Sequence, residues 1–278
     1  MSSQLSTTSF LFKGDIWRLL PDEATGIVGV EVRDTASLQV YFCLISVGSS
    51  QVLLDHFQLP ESWWVGLAGI HEQVLYLNGF ERTGQIGHPK GITAVHWATQ
   101  KVFFELPAAT LEGISHGTLL VSEAGTQPKV LYRVNALSGE VFSSFSQPEV
   151  PTIQENTKEA TAYQVLYPEI YEQGSTYFDD LATFLLKDRA QVATSSVEYL
   201  ETDSCFILSY YVRQENGLFV KFLVTYTLNG AVLYECCLLK DAERIGGPPF
   251  FVQAGQLFLV QDKNVLLSVS LPVNVNFD

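Results

Sequence analysis

Apolar and polar residues alternate along most of this chain in short runs that end at turn residues, the period-two pattern of half-buried strands. The best-formed case is Val130 to Phe145, where two runs rich in branched and aromatic residues flank Asn135-Ala136-Leu137-Ser138-Gly139. Gly139 supplies the positive φ that such a turn needs. Upstream, Asp15 to Leu20 ends at Pro21, and Ile27 to Arg33, Leu38 to Ser46 and Gln51 to Phe57 follow, separated by Asp34-Thr35-Ala36-Ser37 and Gly48-Ser49-Ser50. The pattern resumes at Trp63 to Leu67, Gln73 to Leu77, Gly91 to Trp97, Lys101 to Leu106 and Thr118 to Ser122. Strand following strand without a helical period predicts antiparallel meanders.

Gln147 to Glu159 carries Pro148 and Pro151 among polar residues and reads as a long loop. Beyond it, Ala162 to Leu166, Leu181 to Leu186 and Gln191 to Leu200 continue the β-rich pattern, with a short helix around Asp179 to Leu186 as the alternative. Cys205 to Arg213, Leu218 to Leu228 and Ala231 to Leu239 contain the strongest short-range hairpin signal, Asn229-Gly230. Phe250 to Ala254, Gln256 to Gln261 and Val265 to Leu271 close the chain as a last meander.

Turns of the Gly139 type fall near Ser50, Gln100, Gly139 and Gly230, at spacings of 50, 39 and 91 residues. A repeat of about 40 to 50 residues, each a three- or four-stranded meander, predicts an all-β fold: a single β-propeller of about six blades. The units fall at 22–60, 61–108, 109–150, 151–200, 201–240 and 247–272, with Asp15 to Leu20 as the N-terminal strand that closes the last blade. Five blades follow if two short units merge, seven if blades are unusually short, and a β-sandwich or pair of barrels is the architectural alternative. Residues 1–14 are expected as a flexible tail and 15–278 as the propeller domain.

The run Leu131-Tyr132-Arg133-Val134-Asn135-Ala136-Leu137-Ser138-Gly139-Glu140-Val141 resembles the blade motif of quinoprotein-alcohol-dehydrogenase-like β-propellers, and Ala94 to Val102 is a degenerate copy. In that family the motif has Asp before the turn and Trp after the second run. Here Asn135 replaces the Asp, Ser144 and Phe145 fall where the Trp is expected, and Gln100 replaces the Gly of the second copy. The resemblance, which extends to uncharacterised bacterial propeller proteins, implies the fold and carries over no quinone-contacting residue.

Composition narrows the function classes. Thirty acidic residues against 16 basic give a formal charge of −14, which opposes attraction to phosphate backbones and anionic lipids. No nucleic-acid partner and no direct membrane insertion are expected. Met1 to Ser9 is polar with no basic run leading into an apolar stretch, so the cytoplasm is the expected compartment. The four cysteines, Cys43, Cys205, Cys236 and Cys237, lack metal-ligand spacing and read as buried or half-buried thiols.

Candidate chemistry is sparse. His88, His96 and His116 would need neighbouring hairpin loops to converge before they could bind a metal; no HxH or HExxH spacing supports this. Asp179-Asp180 could hold a cation or divide acid–base work, but adjacent carboxylates are more simply the cap of a helix. Trp63 and Trp64 would face opposite ways on a strand, one packing between blades and the other reaching the surface as an anchor for a partner. Ser138-Gly139 is a turn without the G-x-S-x-G elbow, and Gly84 to Gly87 lacks the Lys-Ser/Thr of a phosphate loop. The expectation is a non-catalytic propeller that binds or scaffolds a protein or small molecule, with no catalytic, cofactor or metal residue. A hydrolase or lyase with polar groups at the central pore is the alternative.

Overall fold

The computed structural model describes residues 5–83, 86–123, 130–146, 163–246 and 250–272. The loop expected over Gln147 to Glu159 lies outside the described residues, as do Gly84 and Gln85. The chain forms two compact units, Lys13–Gln164 and Met1–Phe12 with Val165–Asp278. Strand β1 (Thr7–Leu11) belongs to the second of them.

In Lys13–Gln164, three four-stranded antiparallel sheets follow one another in chain order. The first is β2 (Asp15–Asp22), β3 (Ile27–Asp34), β4 (Gln39–Ser46) and β5 (Val52–Phe57). The second is β6 (Val65–His71), β7 (Val74–Thr83), β8 (Ile86–His96) and β9 (Lys101–Pro107). The third is β10 (Ala109–Ser115), β11 (Thr118–Glu123), β12 (Val130–Asn135) and β13 (Val141–Ser146).

The middle sheet is covered on both faces, and strand alternation dictates how. Leu75 and Leu77 pack into the same cluster as Phe42 and Leu44 of the first sheet. Val74 and Tyr76, on the opposite face, pack with Leu119, Val121 and Val134 of the third. Each such side chain, once fully buried, contributes roughly 1.5–3 kcal/mol. The buried Tyr76 hydroxyl donates to Ala136 O at 2.6 Å, tying the second sheet to the third, and burial raises its pKa well above the ordinary phenol value.

Three hairpins in this unit share one turn. Asp34, His96 and Asn135 each accept hydrogen bonds from amides two or three residues on, with a side-chain atom of their own. Four residues after each of them comes a positive φ: Leu38 at 52°, Gln100 at 56° and Gly139 at 74°. Only the last uses glycine, and there a Cβ would stand 2.6 Å from Phe104 Cγ. Gly139 therefore serves the turn and the approach of β9, and the hairpin is architectural.

In Met1–Phe12 with Val165–Asp278, the remaining elements are β14 (Val165–Leu166), β15 (Glu169–Glu172), α1 (Thr176–Arg189), β16 (Ala193–Glu201), β17 (Cys205–Arg213), β18 (Phe219–Thr227), β19 (Val232–Ala242), β20 (Phe251–Gln253), β21 (Gln256–Gln261) and β22 (Val265–Ser270). Strands β15 to β19 form one five-stranded sheet in chain order, and a second has the order β1-β22-β21-β20-β14. Successive antiparallel meanders of four or five strands are the blade construction of a β-propeller, so the all-β class holds.

Three expectations are corrected. An N-terminal strand does complete the last sheet, but it is β1, paired from Thr7 opposite Val269 to Leu11 opposite Val265. Thr7-Thr8-Ser9 looked like polar tail, yet threonine suits a half-exposed edge strand. Asp15 to Leu20 instead begins the first sheet, opposite β3. Five sheets occur among the described residues rather than the preferred six, because the expected units 151–200 and 201–240 merge into β15–β19.

The third correction concerns Leu181 to Leu186, which is helical. Ser175 accepts from Phe178 N as the N-cap, and Ala190 ends the helix in a left-handed conformation. Phe178, Leu181, Ala182 and Leu185 recur at helical spacing and pack on Val197, Leu208 and Tyr210.

The other face of β16–β18 packs with Leu257, Leu259 and Leu267 of the neighbouring sheet and contains a buried ion pair. Lys221 Nζ lies 3.0 Å from Glu198 Oε1, at side-chain exposures of 7% and 14%, over the ring of Tyr211. Removing one partner of such a pair leaves a buried charge uncompensated. Lys221→Ala is expected to lower unfolding free energy by about 3–5 kcal/mol, whereas Lys221→Met combined with Glu198→Gln should recover most of that loss. Urea unfolding followed by fluorescence checks both; equal destabilisation by the two proteins would show that the pair's charge is immaterial.

Candidate functional site

The first strands of the three sheets in Lys13–Gln164, β2, β6 and β10, are sheet edges, and β6 contacts both others. Each carries a register shift. Trp17 has no opposite residue between Ile16 and Arg18, Ala68 none between Leu67 and Gly69, and Glu112 none between Leu111 and Gly113. A bulge bends its strand and re-aims the residues around it. Strand β16 repeats the device between Thr194 and Val197, where Ser195 has a φ of 69°.

Around β6 the shifted strands line an open cavity of about 300 Å³, at which Arg18 and Glu112 are solvent-exposed. Its charged lining is Arg18 and Asp22 from β2 and Glu112 from β10; Leu20, Ile70 and Leu111 supply apolar wall. Every charged group is anchored to the scaffold. Arg18 Nη1 donates to Leu67 O at 2.7 Å, and Glu112 Oε1 accepts from the buried Ser122 hydroxyl at 2.5 Å. Asp22 Oδ2 accepts from Thr25 N at 2.9 Å and from the Thr25 hydroxyl. Two glycines shape the walls. A Cβ on Gly69 would meet Ile114 Cδ1 at 2.5 Å, so glycine lets β10 side chains lie on β6. A Cβ on Gly113 would meet nothing within 4 Å, and its φ lies outside the left-handed region.

Behind the cavity, side chains of the first sheet satisfy the outer edge of β6. Arg33 donates through Nη1 to Trp63 O at 3.0 Å and through Nη2 to Val65 O at 2.7 Å, while its Nε meets Glu31 Oε1 at 2.7 Å. The buried Glu31 takes Leu67 N on Oε2 at 2.8 Å. The Arg33 guanidinium lies between the rings of Trp63 and Trp17, at 4.9 and 5.5 Å.

The residues singled out from sequence are dispersed. Trp63 and Trp64 precede β6, both half-buried, and their amides donate to Glu61, holding that carboxyl below its ordinary pKa. Trp63 packs on Arg33, and the ring of Trp64 is 3.3 Å from where a Cβ on Gly87 would stand. The exposed tryptophan is instead Trp17, at 65%.

His96 closes its hairpin through Nδ1, 3.1 Å from Thr99 N, and places Nε2 2.8 Å from Gln73 Oε1. His88 sits opposite Glu81 in the β7–β8 ladder, and His116 meets Ser115 Oγ at 2.8 Å in the next turn. Among the described residues no three His, Cys, Asp or Glu side chains gather as a metal-ligand set. Asp179 and Asp180 are exposed on the first turns of α1, where Ser175 rather than either Asp is the cap.

Arg18, Asp22 and Glu112 escaped the sequence reading. The available signal was a glycine inside a strand, at Ala68-Gly69 and Glu112-Gly113, which commonly marks a bulge.

Comparison with known proteins bears on the fold. Residues 21–104, most of the first two sheets, match a family described as Domain of unknown function (DUF4905). No curated protein matches the chain. Solved structures that resemble it include a eukaryotic initiation factor, at 10% identity over 95% of this chain and 56% of that one, with TM-score 0.32. The Dos1 propeller is similar at 9% identity over 92% and 68%, TM-score 0.32. The endo-arabinase from Bacteroides thetaiotaomicron VPI-5482 is similar at 10% identity over 95% and 96%, TM-score 0.27. This chain thus spans 56% of the initiation-factor chain. The β-propeller-like character of the fold rests on its own successive antiparallel sheets of four or five strands.

The edge clamp makes a direct prediction. Arg33→Ala strands the buried Glu31 and frees two carbonyls, so a loss of about 3–5 kcal/mol is expected in denaturant unfolding. Arg33→Lys should recover little, since an ammonium cannot span both carbonyls and the carboxylate as a planar fork does. Full stability in the lysine variant would show that charge alone holds the edge.

Proposed function

We propose that this chain is a non-catalytic binding module that takes its ligand in the cavity between β2, β6 and β10. One observation carries the reading: bulged edge strands of successive sheets line a single cavity with Arg18, Asp22 and Glu112 beside an aliphatic wall. Anchored polar groups at fixed positions beside an aliphatic wall are what a small-molecule site requires. The charge of −14 favours a basic or neutral ligand over nucleic acid. Among the described residues no helix is long and apolar enough to cross a membrane. The four cysteines are all free thiols, which suits the cytoplasm as the proposed compartment. A place among the quinoprotein-alcohol-dehydrogenase-like propellers belongs to the same proposal, supported by the turn shared by Asp34, His96 and Asn135.

A second reading, a hydrolase or lyase, is favoured by one feature: Asp22 and Glu112 bring carboxylates from two sheets to one cavity. Acid–base chemistry requires groups so placed.

Gly113→Phe separates these readings from no function at the cavity, because Gly113 lies in the lining, a Cβ there meets nothing within 4 Å and its φ lies outside the left-handed region. A thermal-shift screen against small charged and zwitterionic metabolites should yield compounds that raise the melting temperature of the native protein and leave the variant unmoved. Shifts that survive in Gly113→Phe would remove the cavity as the site. Turnover of any bound compound, abolished by Glu112→Gln with binding retained, would favour the enzyme.

A further inference from the structure

A second cavity, open and of about 540 Å³, lies on the sheet β15 to β19. We propose that it receives a dipeptide with free ends and apolar side chains. The proposal is independent of the cavity at β6 and of the reading built on it.

The bulge in β16 shapes this cavity. Thr194 stands opposite Tyr211 and Val197 opposite Tyr210, so Ser195 and Ser196 have no counterpart in β17. On its other side β15 follows the bulge: Ser196 stands opposite Glu172, and Gln173 N donates to Ser195 O at 2.7 Å. Thr194, Ser195 and Ser196 all reach the lining. The far wall is held by Tyr211, whose hydroxyl donates to Gly246 O at 2.6 Å and accepts from Gly246 N at 3.1 Å, fixing the segment that brings Ile245 to the cavity. The ring of the same Tyr211 lies under Lys221 of the buried ion pair, so this wall is tied to the core of the sheet.

Three features select the ligand. The first is a pair of opposite charges, Glu172 on β15 and Arg213 at the end of β17. Both are exposed, and neither side chain has a hydrogen-bond or ion-pair partner among the described residues. Strand β16 runs between them, which puts their backbones roughly 10 Å apart. An α-amino acid, with both charges on one Cα, is short for that span. A dipeptide separates its ammonium and carboxylate by about 6 Å, and a hydrogen bond of about 3 Å at each end covers the rest. The guanidinium fork of Arg213 suits the carboxylate, and Glu172 the ammonium. The second feature is the row of hydroxyls on β16 between the two charges. Each can donate and accept, which is what a peptide N–H and C=O require. The third is the apolar margin of Ile170, Phe219 and Ile245, which suits hydrocarbon side chains.

Isothermal titration calorimetry on the full chain uses L-leucyl-L-leucine, its N-acetyl form, its C-terminal amide and L-leucine. The dipeptide should bind, and each of the other three should bind at least about tenfold more weakly, the worth of one charged hydrogen bond. Glu172 and Arg213 are exposed, so replacing them leaves the core intact. Arg213→Gln should weaken the dipeptide and its N-acetyl form and leave the amide unmoved. Glu172→Gln should weaken the dipeptide and the amide and leave the N-acetyl form unmoved. Gly113→Phe, in the other cavity, should change nothing. A blocked peptide or L-leucine equal to the free dipeptide, or no binding of the dipeptide, would overturn the proposal. Binding lost in Gly113→Phe but kept in both polar variants would overturn it too, since the ligand would then belong at β6 and the reading above would stand.

Discussion

An edge strand carries a row of backbone groups with no partner in its own sheet, and a protein must satisfy them or expose them. Along β6 and the residues leading into it, the outward groups belong to Trp63, Val65 and Leu67, since Trp64 O already serves Phe80 N on the other side. Arg33, Glu31 and Arg18 meet them one after another. The first sheet thereby fixes β6 in position and direction, and the wall of the cavity with it. Apolar packing alone would bring these sheets together but would tolerate sliding. A guanidinium spanning two carbonyls and a carboxylate does not.

The same strands have to bend. A straight β6 would pair with β7 along its whole length and turn its residues alternately to the two flanking sheets. The shift at Ala68 breaks that alternation, and equivalent shifts in β2 and β10 break it at Trp17 and Glu112. Glu112, which regular alternation would have left elsewhere, reaches the cavity while its Oε1 stays on Ser122. Anchor and bulge are thus complementary: one fixes the strand, the other decides what the strand presents.

Period-two alternation and turn chemistry made most of the strands legible, because a strand half-buried against a neighbour has to alternate. The 130–145 hairpin is an instance, with Asn135 and Gly139 in the roles their chemistry suggests. What failed has identifiable causes. Thr7–Leu11 pairs with a segment over 250 residues away, and its hydroxyl-rich composition is ambiguous without that partner. In Leu181 to Leu186 a strand's apolar run and a helix's apolar face look alike until Ser175 is recognised as the cap. The cavity was illegible for a deeper reason. Arg18, Asp22 and Glu112 share no motif, and three separate register shifts bring them together. Histidines, which drew notice as a residue type, close turns instead.

The lining of the cavity departs from ordinary core composition. Close packing is the default of protein interiors, and a void lined by aliphatic residues alone loses its contacts without recompense. Gly113 leaves space that a larger residue would fill without strain, and Gly69 yields room to Ile114 rather than occupying it. Side chains suited to filling the space would cost little to introduce, yet the chain places an arginine and two carboxylates there. Charged groups keep such a space hydrated and exchangeable. Arg18 and Glu112 serve the scaffold at the same time, through Leu67 O and the Ser122 hydroxyl, so the residues that line this space also hold its walls.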